Sequence, residues 1–127
     1  MQFQPDSFAG TNAIARLDAN GVWVNGKAHG GALLVPWRGD VVTWNVAGLE
    51  ALQACDFEAV LALRPELVIF GSGARLRFVA PALYRGLIDA RVGLETMDTA
   101  AACRTYNVLA AEGRSVVAAL LPAQLGT

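Results

Sequence analysis

Between Ala13 and Trp44 the apolar positions come in short clusters, Ala13 to Leu17, Val22 to Val24, Lys27 to His29, Ala32 to Val35 and Val41 to Trp44. They are divided by Asn20-Gly21, Asn25-Gly26, Gly30-Gly31 and Arg38-Gly39-Asp40. Runs this short between turn formers predict strands, and the two Asn-Gly pairs predict hairpins, because tight turns need positive φ. Trp23, Trp37 and Trp44 are expected to help fill this region. From Gly48 to Leu63 the spacing of Leu49, Leu52, Phe57, Val60 and Leu61 predicts one or two short helices, with Asp56 a candidate N-cap and Pro65-Glu66 as the stop. Leu67-Val68-Ile69-Phe70 lacks alternation, which marks a central strand covered on both faces.

After Gly71-Ser72-Gly73, Ala74 to Phe78 reads as another extended piece, and Pro81 suits the first turn of a helix reaching about Ile88, with Leu83 and Leu87 inward. Arg91 to Glu95 is a further strand candidate. Asp98 or Thr99 then caps a helix running to about Ala111, Gly113 ends it in the left-handed conformation, and Ser115 to Leu121 closes as an apolar strand. Strands alternating with helices after a hairpin-rich start predict one compact α/β domain over residues 1–127. It would have a mixed β-sheet, N-terminal hairpins and two main helices.

Composition supports a globule: 54% of residues are hydrophobic and 17% charged, so a core is affordable and disorder is excluded. A net charge of −1 gives no global field to gather nucleic acid or anionic lipid. Nine of the ten cations are Arg, a skew explained either by base composition or by a need for forked donors at a binding face. The start, Met1-Gln2-Phe3-Gln4-Pro5-Asp6, lacks the basic and apolar regions of a secretory signal. The longest strongly apolar run, Val116 to Pro122, is far short of the roughly 20 residues of a membrane span. A soluble chain without membrane insertion is therefore expected. Cys55 and Cys103, 48 positions apart, show no metal or redox spacing and are expected to be free, packed thiols.

Candidate chemistry concentrates in the second half. Glycine turns after buried strands can cradle anions on their backbone N–H groups, so Gly71-Ser72-Gly73 reads either as a tight turn leaving a central strand or as an anion site, with Arg75 and Arg77 nearby. On the last helix Ala101, Ala102, Thr105, Val108 and Leu109 can form a packed face. Arg104 and Asn107, three apart, project near one another. A covered Arg104 would need Asp98, Glu95 or Glu112 as partner. Two readings stay open: a structural network pinning the helix to the sheet, or a cleft where Arg104, Tyr106, Asn107 and the glycine turn receive a small anion or a partner's side chain. His29, the only histidine, sits in a hairpin and is expected to face solvent without triad partners. Nothing has metal-ligand spacing, and no P-loop or aromatic-basic pattern suggests nucleic acid. No catalytic set, cofactor or metal is expected.

Gly71, Gly73, Met97-Asp98-Thr99, Ala101, Arg104-Thr105-Tyr106-Asn107, Leu109 and Glu112-Gly113-Arg114 together resemble the small α/β domain family that includes mitochondrial complex I assembly factor three and an adipogenesis-associated homologue. The likeness covers about residues 13–121 and is strongest from Leu67 to Leu121. The family usually has Thr where Ser72 stands, which keeps the hydroxyl, and Cys103 falls at a variable position. The resemblance implies a non-catalytic protein-binding module, an assembly factor for a respiratory or other membrane complex. Its partners would be proteins, membrane-complex subunits among them, and its place the cytoplasm, peripheral to the inner membrane. Asp98, Thr99, Glu112 and Arg114 are expected to be structural, and Gly71, Ser72, Gly73, Arg104, Tyr106 and Asn107 to bind. The alternative is a small-molecule anion binder or enzyme using the Gly71-Ser72-Gly73 turn and Arg104.

Overall fold

The computed structural model describes residues 1–3 and 10–123, so Gln4, Pro5 and Asp6 of the opening run lie outside the described residues. In chain order the elements are β1 (Ile14–Asp18), β2 (Gly21–Val24), β3 (Lys27–His29), β4 (Leu33–Val35), β5 (Val42–Thr43), α1 (Ala54–Leu61), β6 (Leu67–Gly71), α2 (Arg85–Asp89), β7 (Gly93–Met97), α3 (Thr99–Ala111) and β8 (Val116–Leu120). Single 3₁₀ turns lie at Leu49–Ala51 and Pro81–Tyr84.

Both hairpins form, giving an antiparallel sheet β1-β2-β3, but only the second turns on its Asn-Gly pair; Gly21 of the first pair is already a strand residue opposite Asp18. Asn25 and Gly26 take φ 51° and 86°, the doubly positive pair of a two-residue turn. In the first hairpin the turn falls on Ala19 and Asn20, and the Asp18 carboxylate accepts the Asn20 N–H at 2.9 Å, an Asx turn. Gly21 is needed one step later: a Cβ there would lie 2.0 Å from the His29 carbonyl oxygen.

The second sheet has the order β5-β4-β8-β6-β7, parallel at β8-β6-β7 and antiparallel at β5-β4-β8. Its middle strands are buried throughout and divide their side chains between two cores. Leu67, Ile69, Val116, Ala118 and Leu120 face α3 and the small sheet, while Val68, Phe70, Val117, Ala119 and Leu121 face α1 and α2. Period two thus builds three layers from strands whose sequence shows no alternation. Trp44, Phe57 and Phe70 meet edge-on or tilted at centroid separations of 5.9–6.3 Å in the second core, and the Trp44 indole N–H donates to Asp56 O. Trp37 is half-buried and ties itself to Ala110 O at 3.1 Å.

Several expectations need correction. Asp56 is not the N-cap of α1: it stands at the third helical position and accepts the Gln53 N–H at 2.8 Å, so the helix starts three residues earlier. The Arg91–Glu95 strand moves to Gly93–Met97 because Arg91, at φ 59°, still belongs to the left-handed exit of α2. Ala74 to Phe78 is exposed and belongs to no strand. The packed stripe of α3 is Thr99, Ala102, Cys103, Tyr106 and Ala110, and Val108 is 58% exposed. Cys55 is exposed rather than packed, and His29 is partly covered rather than free in solvent.

Candidate functional site

The carboxyl ends of β6, β7 and β8 meet at Gly71-Ser72-Gly73, and two hydroxyls join them. The fully buried Thr99 hydroxyl accepts the Gly73 N–H at 2.9 Å and donates to Leu121 O at 2.7 Å. Backbone bonds run beside it, from Thr99 N–H to Gly73 O, Ser72 N–H to Met97 O and Leu121 N–H to Gly71 O, each 2.8 or 2.9 Å. The Ser72 hydroxyl lies within donating distance of Arg75 O at 2.7 Å and Met97 O at 3.1 Å, and accepts the Arg77 N–H at 3.0 Å. Gly71 is glycine for space: a Cβ would stand 2.9 Å from Thr99 Oγ1 and from the Leu120 side chain. Gly73 is glycine for conformation, with φ 109°.

These bonds decide what the turn can do. The N–H groups of Ser72 and Gly73, the donors an anion cradle would use, are already committed to Met97 and Thr99. What the turn does form is one wall of an open cleft of about 540 Å³. Ala47, Gly48, Leu49, Glu50, Leu121, Pro122, Arg75 and Arg77 also line it. Arg77 is paired with Glu50, and that hydrogen bond holds the Glu50 carboxyl below the usual carboxylate range.

Arg104, Tyr106 and Asn107 do not line this cleft. Tyr106 is fully buried in the first core, its hydroxyl donating to Pro36 O at 2.8 Å, and burial pushes its pKa up. Asn107 acts as a peptide group toward β1: its Oδ1 accepts the Ile14 N–H at 2.9 Å and its Nδ2 donates to Ile14 O at 2.7 Å. Arg104 is exposed, its guanidinium 3.6 Å from Met1 Sδ, so it needs no carboxylate, and Asp98, Glu95 and Glu112 are not among its partners. Asp98 caps α3 by accepting the Ala101 N–H at 2.8 Å. Glu112 closes the helix through its backbone N–H, and Arg114 pairs with Glu66 at 3.2 Å on the surface. Cys103, beside Ala102 in the packed stripe, has its thiol pushed up to about 12 by burial.

Arg75 and Arg77 carry a sequence signal, two forked cations two positions apart after a glycine turn. Glu50 and Pro122 carry none, since their place at the cleft depends on contacts from distant parts of the chain.

Comparison with known proteins gives consistent matches. The family described as "Protein of unknown function (DUF498/DUF598)" matches residues 14–121. A Bos taurus protein named NADH dehydrogenase (ubiquinone) 1 alpha subcomplex assembly factor 3 is 35% identical over 117 residues, 90% of this chain and 62% of that protein. The chain therefore spans under two thirds of this relative. A Rhodobacter capsulatus protein described as uncharacterized is 36% identical over 121 residues, covering 91% of this chain and 88% of its own. The crystal structure of a Bordetella parapertussis protein superposes with a TM-score of 0.84 at 36% identity, covering 90% of this chain and 98% of that one.

Proposed function

We propose, from the premise that this chain belongs to the DUF498/DUF598 family, that it is a non-catalytic protein-binding module assisting assembly of a respiratory or other membrane complex. The observation that carries this reading is the 35% identity to a protein named as a complex I assembly factor, over 90% of the chain. The chemistry of the described residues supports it. At the strand-end turn and on α3 the hydroxyls and thiol are committed to structure: Ser72 and Thr99 to strand ends, Tyr106 to Pro36, Cys103 to the core. A group already bonded and desolvated in this way is poorly placed to attack a substrate. No helix among the described residues is long and apolar enough to cross a membrane.

The test is a native purification of the tagged chain from its own host, with a deletion strain alongside. Recovery of membrane-complex subunits and a fall in assembled complex on native gels are expected. Unchanged assembly in the deletion strain, with no subunit recovered above an untagged control, would end this reading.

A further inference from the structure

Positive charge and exposed apolar surface coincide in one segment. Ala74 to Arg91 holds Arg75, Arg77, Arg85 and Arg91 against Asp89, a net +3, so the rest of the chain carries −4 to reach the total of −1. The same segment holds Leu76, Phe78 and Ile88, 51%, 73% and 50% exposed, three of the six large hydrophobics that stand in solvent among the described residues. From Arg75 to Phe78 cation and apolar residue alternate. Arg75 and Arg77 line the cleft beside Gly73, and Leu76 and Phe78 do not.

Resting on the protein-binding reading above, we propose that this cleft and its rim dock an acidic-apolar peptide segment of a partner protein. A carboxylate would be taken by Arg75 and Arg77, and adjoining apolar side chains by Leu49 and Pro122. Three observations favour a peptide. The cleft volume of about 540 Å³ suits a few side chains rather than a flat surface. Arg77 shares its fork with the exposed Glu50, while among the described residues no carboxylate pairs with Arg75, whose fork is open to a ligand. Arg75 and Arg77 both line the cleft, so one entering carboxylate can reach two forked cations, which a flat lipid surface lying across its mouth would not engage from within. An incoming carboxylate competes with Glu50 for Arg77, so Glu50 tunes affinity.

The test is an NMR titration of the full chain with a hexapeptide alternating glutamate and leucine, a lysine–leucine hexapeptide as control, and vesicles of phosphatidylcholine with phosphatidylserine as a third arm. Saturable shifts of amides in residues 47–50 and 72–78 with the acidic peptide alone are expected. Arg75→Ala should weaken binding at least about tenfold, the loss of a charge-assisted pair, and Glu50→Gln should strengthen it. The proposal is overturned by shifts located elsewhere, by equal binding of the basic peptide, by binding undiminished in Arg75→Ala, or by vesicle binding without peptide binding. Native purification of Arg75→Ala separates the two readings. If that variant recovers the partners found with the parent chain, the docking site is wrong and the assembly role stands. If the parent itself recovers none, the assembly role fails whatever the peptide does.

Discussion

Replacing Asn107 by Ala removes the side chain that satisfies both backbone groups of Ile14, a residue 93 positions away whose own side chain is fully buried. An unmet buried donor or acceptor costs about 1–3 kcal/mol; with both groups partly shielded, the loss should be about 2–4 kcal/mol. For a chain of 127 residues that corresponds to a fall in Tm of about 8–16 °C. Arg104→Ala, one helical turn earlier and exposed, should change stability by less than ~0.5 kcal/mol and Tm by no more than about 2 °C. Asn107→Asp should be no better than Ala, because a carboxylate accepts from Ile14 N–H but faces its carbonyl without a proton to give. Thermal melts followed by circular dichroism give the midpoints, and hydrogen exchange at the Ile14 amide shows whether the loss is local. An Asn107→Ala midpoint within ~2 °C of the parent, or an equally large fall for Arg104→Ala, would refute the assignment of Asn107 as the tie between α3 and β1.

Three other predictions are independent of it. Thr99→Val keeps the shape of the side chain but strands the Gly73 N–H and the Leu121 carbonyl, so denaturant unfolding should show a loss of about 2–4 kcal/mol, mostly restored in Thr99→Ser. Cys55 should react with a thiol reagent at pH 8 within minutes, whereas Cys103, buried and pushed up to about 12, should react only as the chain unfolds; equal rates for Cys55→Ala and Cys103→Ala chains would contradict this. The His29 pKa is lowered, by burial first and by Lys27 second. The unfolded chain therefore takes up the proton first, and the stability present above the ordinary value of 6.5 drains away as pH falls through the lower folded value. His29→Gln should show a flatter stability profile between pH 7.5 and 5 in urea titrations.

Local signals located most of the fold. Asn25-Gly26 announced its hairpin because positive φ is a demand no tertiary contact has to supply, and Leu67 to Phe70 announced a central strand because only burial on both faces tolerates such a run. The face of α3 was harder to read. Val108 and Ala101 look better suited to a core than Thr99 and Tyr106, yet Thr99 and Tyr106 go inside because distant carbonyls, at Leu121 and Pro36, receive their hydroxyls. The same blindness governs the site. Asn107 beside Arg104 suggests a shared task, but its partner is a backbone segment at the other end of the chain, and Arg104 points to Met1. The glycine turn was placed correctly after its strand, while the loss of its N–H groups to Met97 and Thr99 could be known only once three strand ends were seen together.

The position of β8 between β4 and β6 means that the last described strand in the chain is the one that joins the two parts of the larger sheet. During synthesis the β4–β5 and β6–β7 pairs emerge first, but no strand joins them into one sheet until Val116 to Leu120 leaves the ribosome. Leu121 and Pro122, which line the cleft, arrive with that strand. A nascent or clipped chain would therefore present an incomplete cleft, and under the proposed docking role a partner would engage only molecules whose translation has passed that point.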